Sequence, residues 1–372
     1  MNMVKWKKLG EVADLVRGKV ISKDYIRDNG GEYPVYSSQT ANDGVLGCVS
    51  SYMFDGDYLT WTTDGAYAGT IFRRKGKFNI TNVCGLIDIK DERLDQCFLY
   101  YWLSLTAKSY VLEGMGNPKL MSNVASTIKI PIPFLSEQQR IVSILDTFTS
   151  SISNLKQQIE ERRKQYEYER DLLLDLEGKE GVEMKTLKDV FVTRNGYTPS
   201  TKNDEFWEGG TIPWFKMEDI RDNGRILNDS NLHITSKAIK GKGLFRANSI
   251  ILATSATIGE HALITVEHLS NQRFTNFYPQ KGCEDCINMK FVYYYMYIID
   301  EWCKQHINQG GFASVDMGGL YNHPFPLLSI HEQSRIVSIL DTFEQSIANL
   351  EAQLAMREKQ YENYRNKLLT FE

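Results

Sequence analysis

The chain has 372 residues, 42% hydrophobic and 24% charged, enough for two or more domains with sizeable cores. It carries 43 Lys+Arg against 47 Asp+Glu, a net charge of −4, which argues against gripping nucleic acid through total charge alone. No signal pattern opens it, no apolar run approaches the roughly 18 residues of a membrane helix, and its six cysteines follow no disulfide framework, so a reducing cytoplasm is expected.

Taken in order, residues 6–18 form an opening phrase, Leu9-Gly-Glu-Val12 followed by Arg17-Gly18. Residues 58–63, 69–73 and 84–89 are rich in β-branched and aromatic side chains and read as strands between Gly, Asn and Asp turns. Residues 98–103 read as an aromatic helix, whose rings suit a helix–sheet core better than base stacking. A glycine-rich turn at 114–118 precedes Pro131-Ile-Pro133, where the prolines should stop one element and reorient the chain. Glu137-Gln138 then opens a long helix, with Ser136 as N-cap and Glu137 favoured by the helix dipole.

This helix lacks Gly and Pro, and its apolar residues step alternately by four and three: Ile141, Leu145, Phe148, Ile152, Leu155 and Ile159, then Tyr166, Leu173 and Leu176. Such a seam, held over about five heptads and roughly 50 Å, wants one partner helix along its length. Two glycines in the charged stretch 177–183 end it and make a linker.

The second half repeats this plan. A phrase like the first opens it at 184–196. Strand-like runs at 249–254 and 262–266 and an aromatic helix at 291–297 follow, then glycine pairs at 310–311 and 318–319, Pro324-Phe-Pro326 and Glu332-Gln333. The nine residues Arg140 to Phe148 return without change as Arg335 to Phe343, 195 positions on. The second seam reads Ile336, Leu340, Phe343, Ile347, Leu350 and Leu354, so the natural partner of each long helix is its own copy. Arg162 and Arg357 break the seam at matching places. They either fix register or pack their stems while the heads reach water. The globular parts are close to neutral, with 16 Lys+Arg against 14 Asp+Glu over residues 1–135 and 15 against 16 over 181–330. They have diverged far more than the helices, as expected of one scaffold carrying two different reading surfaces.

Catalytic motifs are missing. Asn117-Pro118 and Asn322-His323-Pro324 do not fit an amino-methyltransferase motif, and no phosphate-binding loop occurs. His331-Glu332 is followed by Arg335 where a zincin has its second histidine. Cys283 and Cys286 form a lone C-x-x-C pair, so no metal is expected.

The doubled order of opening phrase, variable part, Pro-x-Pro, Glu-Gln and Arg-Ile-Val-Ser-Ile-Leu-Asp resembles the specificity subunits of Type I restriction–modification enzymes, over the whole length. The resemblance implies an α+β protein with a pseudo-twofold internal repeat. Residues 1–135 and 181–330 would be target recognition domains. Residues 136–180 (long helix and linker) and 331–372 (second long helix) would form an antiparallel coiled coil. It implies a non-catalytic subunit: each recognition domain reads half of a bipartite double-stranded DNA target, and the helices fix the spacing at about one DNA turn, roughly 34 Å. Two modification (methyltransferase) subunits would bring S-adenosylmethionine, and restriction subunits ATP and Mg, with no cofactor in this chain. A Type IIB-like context is a close alternative, and a coiled-coil scaffold for proteins a more distant one.

Bases are read in the major groove by Arg, Lys, Asn, Gln, Ser and Thr. In the first half the candidates are Ser38, Gln39, Thr40 and Asn42, then Thr62, Thr63 and Tyr67, then Arg73, Arg74 and Lys75. In the second half they are Trp214 and Lys216, Lys240 and Lys242, Ser255 and Thr257, and Asn271, Gln272 and Arg273. Lysines and arginines among them more often hold phosphates than bases.

Overall fold

The computed structural model describes residues 4–113, 116–308 and 313–371. Two compact units divide the chain, Met1–Gln157 with Ala352–Glu372 and Gln158–Glu351. The long helices run Leu135–Leu174 and Ile330–Leu368, so each unit takes in part of both. Of the glycine-rich turns, Gly114, Met115, Gly310 and Gly311 lie outside the described residues.

The first unit holds a six-stranded sheet in the order Ala13–Arg17, Cys84–Ile89, Phe54–Thr62, Ile71–Ile80, Gly30–Tyr36, Val45–Val49. Its pairs are antiparallel except that Tyr36 lies parallel to Ile80. Strand alternation splits its apolar residues between two faces. Leu59, Trp61 and Ile87 pack with the aromatic helix Gln96–Thr106, with Ile141 and Leu145 of the first long helix and with Leu369 just past the end of the second. Phe78, Ile80 and Leu86 pack on the other face with Tyr36, Phe54 and Tyr58.

The second unit has a five-stranded sheet, Phe191–Asn195, Phe274–Pro279, Ser249–Ala253, His261–Ile264, Ile226–Leu227. A three-stranded sheet beside it pairs Ile212–Phe215 with His233–Ile234 and, in parallel, with Leu269–Ser270. The aromatic helix Met289–Gln305 buries Phe291, Tyr294 and Met296 with Ile250, Phe277, Ile336 and Leu340. The rings of both aromatic helices are thus core, as their spacing implied.

Pro131 and Pro326 do not stop their elements. Each lies in a strand of a two-stranded antiparallel ribbon, Lys129–Ile132 on Lys5–Lys8 and Pro324–Leu327 on Glu183–Thr186. A ribbon of two strands leaves one side of each unpaired, where a missing N–H does no harm. Ser136 is not the N-cap either, because the helix already includes Leu135. In the second half Ser329 takes that role, its Oγ accepting from the Glu332 N–H at 3.2 Å.

The long helices pair antiparallel within each unit. In the first, Phe148 meets Tyr364 at 5.2 Å between ring centroids and Lys156 meets Glu358 at 2.9 Å. In the second, Arg163 pairs with Glu351, and the Tyr166 hydroxyl donates to Glu344 Oε1 at 3.0 Å. The seam residues Ile152, Leu155, Ile347, Leu350 and Leu354 are half-buried and Ile159 is buried. Arg357 sets its guanidinium 5.7 Å from the centre of the Phe148 ring, and Arg162 does the same over Phe343 at 5.9 Å. Their stems pack and their heads settle on an aromatic face, which keeps the charge near water.

The identical nine residues and the Glu-Gln before them have a physical reason. Gln138 is fully buried. Its Oε1 accepts from the Asp95 N–H, and its Nε2 donates to the carbonyls of Arg93 and Pro133 at 2.7 and 2.9 Å. Gln333 makes the same three bonds, to the Asn288 N–H and to the carbonyls of Cys286 and Leu328. Asp95 and Asn288 are the N-caps of the two aromatic helices, so each glutamine locks a long helix to an aromatic one. Further along, Asp146 accepts from Tyr101 Oη at 2.5 Å and Asp341 from Tyr294 Oη at 2.6 Å. Burial and the facing carboxylate hold both tyrosines protonated well above the usual range.

Candidate nucleic-acid interface

Both units build one constellation around a three-residue turn. In the first, the turn Thr81-Asn82-Val83 joins Ile71–Ile80 to Cys84–Ile89. The N–H groups of Gly18, Lys19, Thr63 and Thr81 donate to the carbonyls of Cys84, Ile80, Val83 and Tyr36. In the second, the turn Asn271-Gln272-Arg273 leads into Phe274–Pro279. There the N–H groups of Gly196, Tyr197, Thr254 and Asn271 donate to the carbonyls of Phe274, Ser270, Arg273 and Phe215. Residue for residue these are the same bonds, and a fifth closes each turn, Cys84 N–H to Thr81 O and Phe274 N–H to Asn271 O.

The glycine ending each opening phrase is fixed by this frame. A Cβ on Gly18 would sit 2.1 Å from the Ile80 carbonyl oxygen, and one on Gly196 would sit 2.2 Å from that of Ser270. Only glycine lets the two backbones approach so closely.

In the second unit the frame gathers several candidates. Gln272 and Arg273 are exposed, Asn271 and Lys216 are half-buried, and Ser255 and Thr257 follow Thr254 on the adjoining loop. Thr198 donates its hydroxyl to Gln272 Oε1. Lys240 and Lys242 are exposed on a loop tied in by the Tyr197 hydroxyl, which accepts from the Lys240 N–H at 2.8 Å. Trp214 does not belong to this surface. It is buried with Ile234, Phe245 and Leu269, its indole N–H donating to the Tyr197 carbonyl.

The first unit departs further from expectation. Thr62 and Thr63 are fully buried, because the strand Phe54–Thr62 carries them into the sheet. Ser38, Gln39 and Thr40 are half-buried and Asn42 is exposed, on a loop linked to the turn where Thr81 Oγ1 donates to Ser37 Oγ at 3.2 Å. Tyr67 is exposed, its carbonyl accepting from the hydroxyls of Thr62 and Thr70.

The run Arg73, Arg74, Lys75 is no single basic patch, since neighbours on a strand point to opposite faces. Arg73 sits over Tyr100 and Tyr101 and pairs with Asp146 at 3.2 Å. Arg74 has only 1% of its side chain exposed, stacked 3.6 Å from the Tyr36 ring centre and paired with Asp43 at 2.6 Å. Lys75 is exposed, 3.9 Å from Asp57. The residue that sequence reasoning passed over is Asn82, the exposed counterpart of Gln272.

Beneath the second frame lies a buried polar chain. Asn276 Nδ2 donates to Ser270 Oγ at 2.8 Å, and its Oδ1 faces His268 Nε2 at 3.1 Å. Burial holds the His268 imidazole down to about 4, against the weaker pull of the Val266 carbonyl and Asn276. A histidine with a depressed pKa stabilises the fold in its neutral form. That contribution is complete above 6.5 and is lost as the pH falls toward 4, about 3 kcal/mol in all. Urea midpoints between pH 7.5 and 4 should therefore fall more steeply for the native chain than for His268→Gln. Parallel curves would mean that His268 does not titrate with unfolding.

Among the described residues no group of three or more His, Cys, Asp and Glu is placed to hold a metal, and no helix is long and apolar enough to cross a membrane. Comparison with known proteins adds the following. The family model described as Type I restriction modification DNA specificity domain matches residues 3–162 and 179–356. A Mycoplasma pneumoniae protein named as a type I specificity subunit is 30% identical over 369 residues, 97% of this chain and 96% of that one. The EcoprrI type I restriction enzyme specificity subunit of Escherichia coli is 49% identical over 201 residues, 51% of this chain and 50% of that one. The crystal structure of the S subunit of a Type I restriction–modification system from M. genitalium shares the fold, with a TM-score of 0.60 at 16% identity over 100% of this chain and 98% of that one.

Proposed function

Since the chain belongs to the Type I restriction modification DNA specificity family, with both halves matched, we propose that each of its units reads one half of a two-part DNA target. It is the specificity component of a restriction–modification system, not a catalytic one. The observation that carries the reading is the frame built twice: five backbone hydrogen bonds to equivalent positions of the turn in both units, bearing different exposed side chains. A constant backbone with changing tips suits two heads of one design that recognise different bases.

In this reading the paired helices space the half-sites and dock two modification subunits, which supply S-adenosylmethionine and the methyl transfer. Restriction subunits add ATP- and Mg-dependent translocation and cleavage. The near-neutral heads grip DNA weakly alone, because phosphate neutralisation supplies most non-specific affinity. In the assembled complex, exchanging residues 10–130 for the corresponding part of another family member should change one half-site and leave the other as it was. Genome-wide adenine methylation mapping reads this out, and a change in both half-sites would refute independent reading.

A further inference from the structure

Resting on the reading of the units as DNA heads, we propose that the three-residue turn is the specificity-determining element of each. Asn82 would read an adenine in the first half-site and Arg273 a guanine in the second. The frame holds the backbone of each turn at its first residue and at the carbonyl of its third, so what differs between the two tips is the exposed side chains.

The three positions have different freedom. The first is committed inward: Thr81 is buried against Ser37 Oγ, and Asn271 Oδ1 accepts from the Arg273 N–H at 3.0 Å. The second is exposed in both units. Among the described residues the Asn82 amide makes no hydrogen bond, so both its donor and its acceptor are open. That pair is what the N7 and N6 edge of adenine requires. Gln272 already has its Oε1 engaged by Thr198, which leaves it unsuited to the same two-point contact. The third position differs most. Val83 is half-buried, whereas Arg273 is exposed and forms no ion pair among the described residues. A free guanidinium fork matches the O6 and N7 of guanine.

Two neighbouring arginines are committed elsewhere. Arg17 donates to the Asn82 carbonyl at 2.5 Å and Arg194 to the Gly243 carbonyl at 2.8 Å, both bracing loops of the frame. The turn is thus an exposed tip on a fixed base, where side chains can be exchanged without altering the backbone.

The test uses the full chain assembled with its modification subunits, methylating a library randomised in both half-sites. Asn82→Ala should relax the preference at one base pair of the first half-site by about 5- to 150-fold and leave the second profile unchanged. Arg273→Ala should do the converse, each untouched half-site showing that the variant is folded. If neither variant relaxes any position while exchange of residues 10–130 still changes a half-site, the turn is not the reader although the heads are. If Arg273→Ala weakens all sequences alike, it holds phosphate and its assignment falls. If exchange of residues 10–130 changes no half-site, the underlying reading fails with it.

Discussion

A Gln333→Leu chain is expected to unfold its second unit with a stability loss of roughly 3–5 kcal/mol, although leucine nearly matches glutamine in volume. The substitution strands three groups: the Leu328 carbonyl, which is buried, and the Asn288 N–H and Cys286 carbonyl, which are part-buried. Each buried group left without a partner costs about 1–3 kcal/mol, and three around one side chain add less than independently. Urea unfolding followed by tryptophan fluorescence measures the loss. Gln138→Leu should do the same to the first unit. The neighbouring Glu332→Ala removes only exposed pairings with Arg335 and His331 and should leave the midpoint close to where it was. Equal effects at positions 332 and 333 would contradict the clamp.

The second large effect is expected from Gly196→Ala and Gly18→Ala. The added methyl lies more than 1 Å inside contact distance of two carbonyl oxygens, those of Ser270 and Asn271 or those of Ile80 and Thr81. These carbonyls sit at the base of the turn, so relieving the clash displaces the turn itself. Overpacking of this kind costs about 1–3 kcal/mol. The functional loss should exceed the stability loss, because base contacts fail with displacements of about 1 Å. Gly196→Ala should reduce methylation of the two-part target at least tenfold and alter the second half-site only, with Gly18→Ala the mirror case. Unchanged methylation by both variants would show that the frame does not need close approach.

The long helices were legible from the sequence because their signal is local and repeated. The seam residues from Ile141 to Ile159 and from Ile336 to Leu354 are all half-buried or buried, while Tyr364 further along is exposed, and the four- and three-residue steps need no knowledge of the heads. The aromatic helices were legible for the same reason, Phe98 and Phe291 both falling in the core. What escaped depends on contacts between distant segments. Gln138 resembles any polar residue near a helix start until Arg93, Asp95 and Pro133 are brought to it. Thr62 and Thr63 have the composition of a polar loop, but the strand runs through Thr62 and both are buried. Arg74 looks like part of a basic run until alternation turns it against Tyr36 and Asp43. In the second half the loop residues 271–273 could be found from residue type alone. In the first half the equivalent turn carries one polar tip, Asn82, between a buried threonine and a half-buried valine, too faint a pattern to stand out.

The ring of Phe371 packs 5.9 Å from those of Phe98 and Trp102, and Leu369 is buried in the same core. A ribosome adds these residues only after the entire stretch from Gln158 to Glu351 has been synthesised. The half made first is therefore completed last: its nascent core stays open at one wall throughout translation of the other half, which is contiguous and free to fold as it appears.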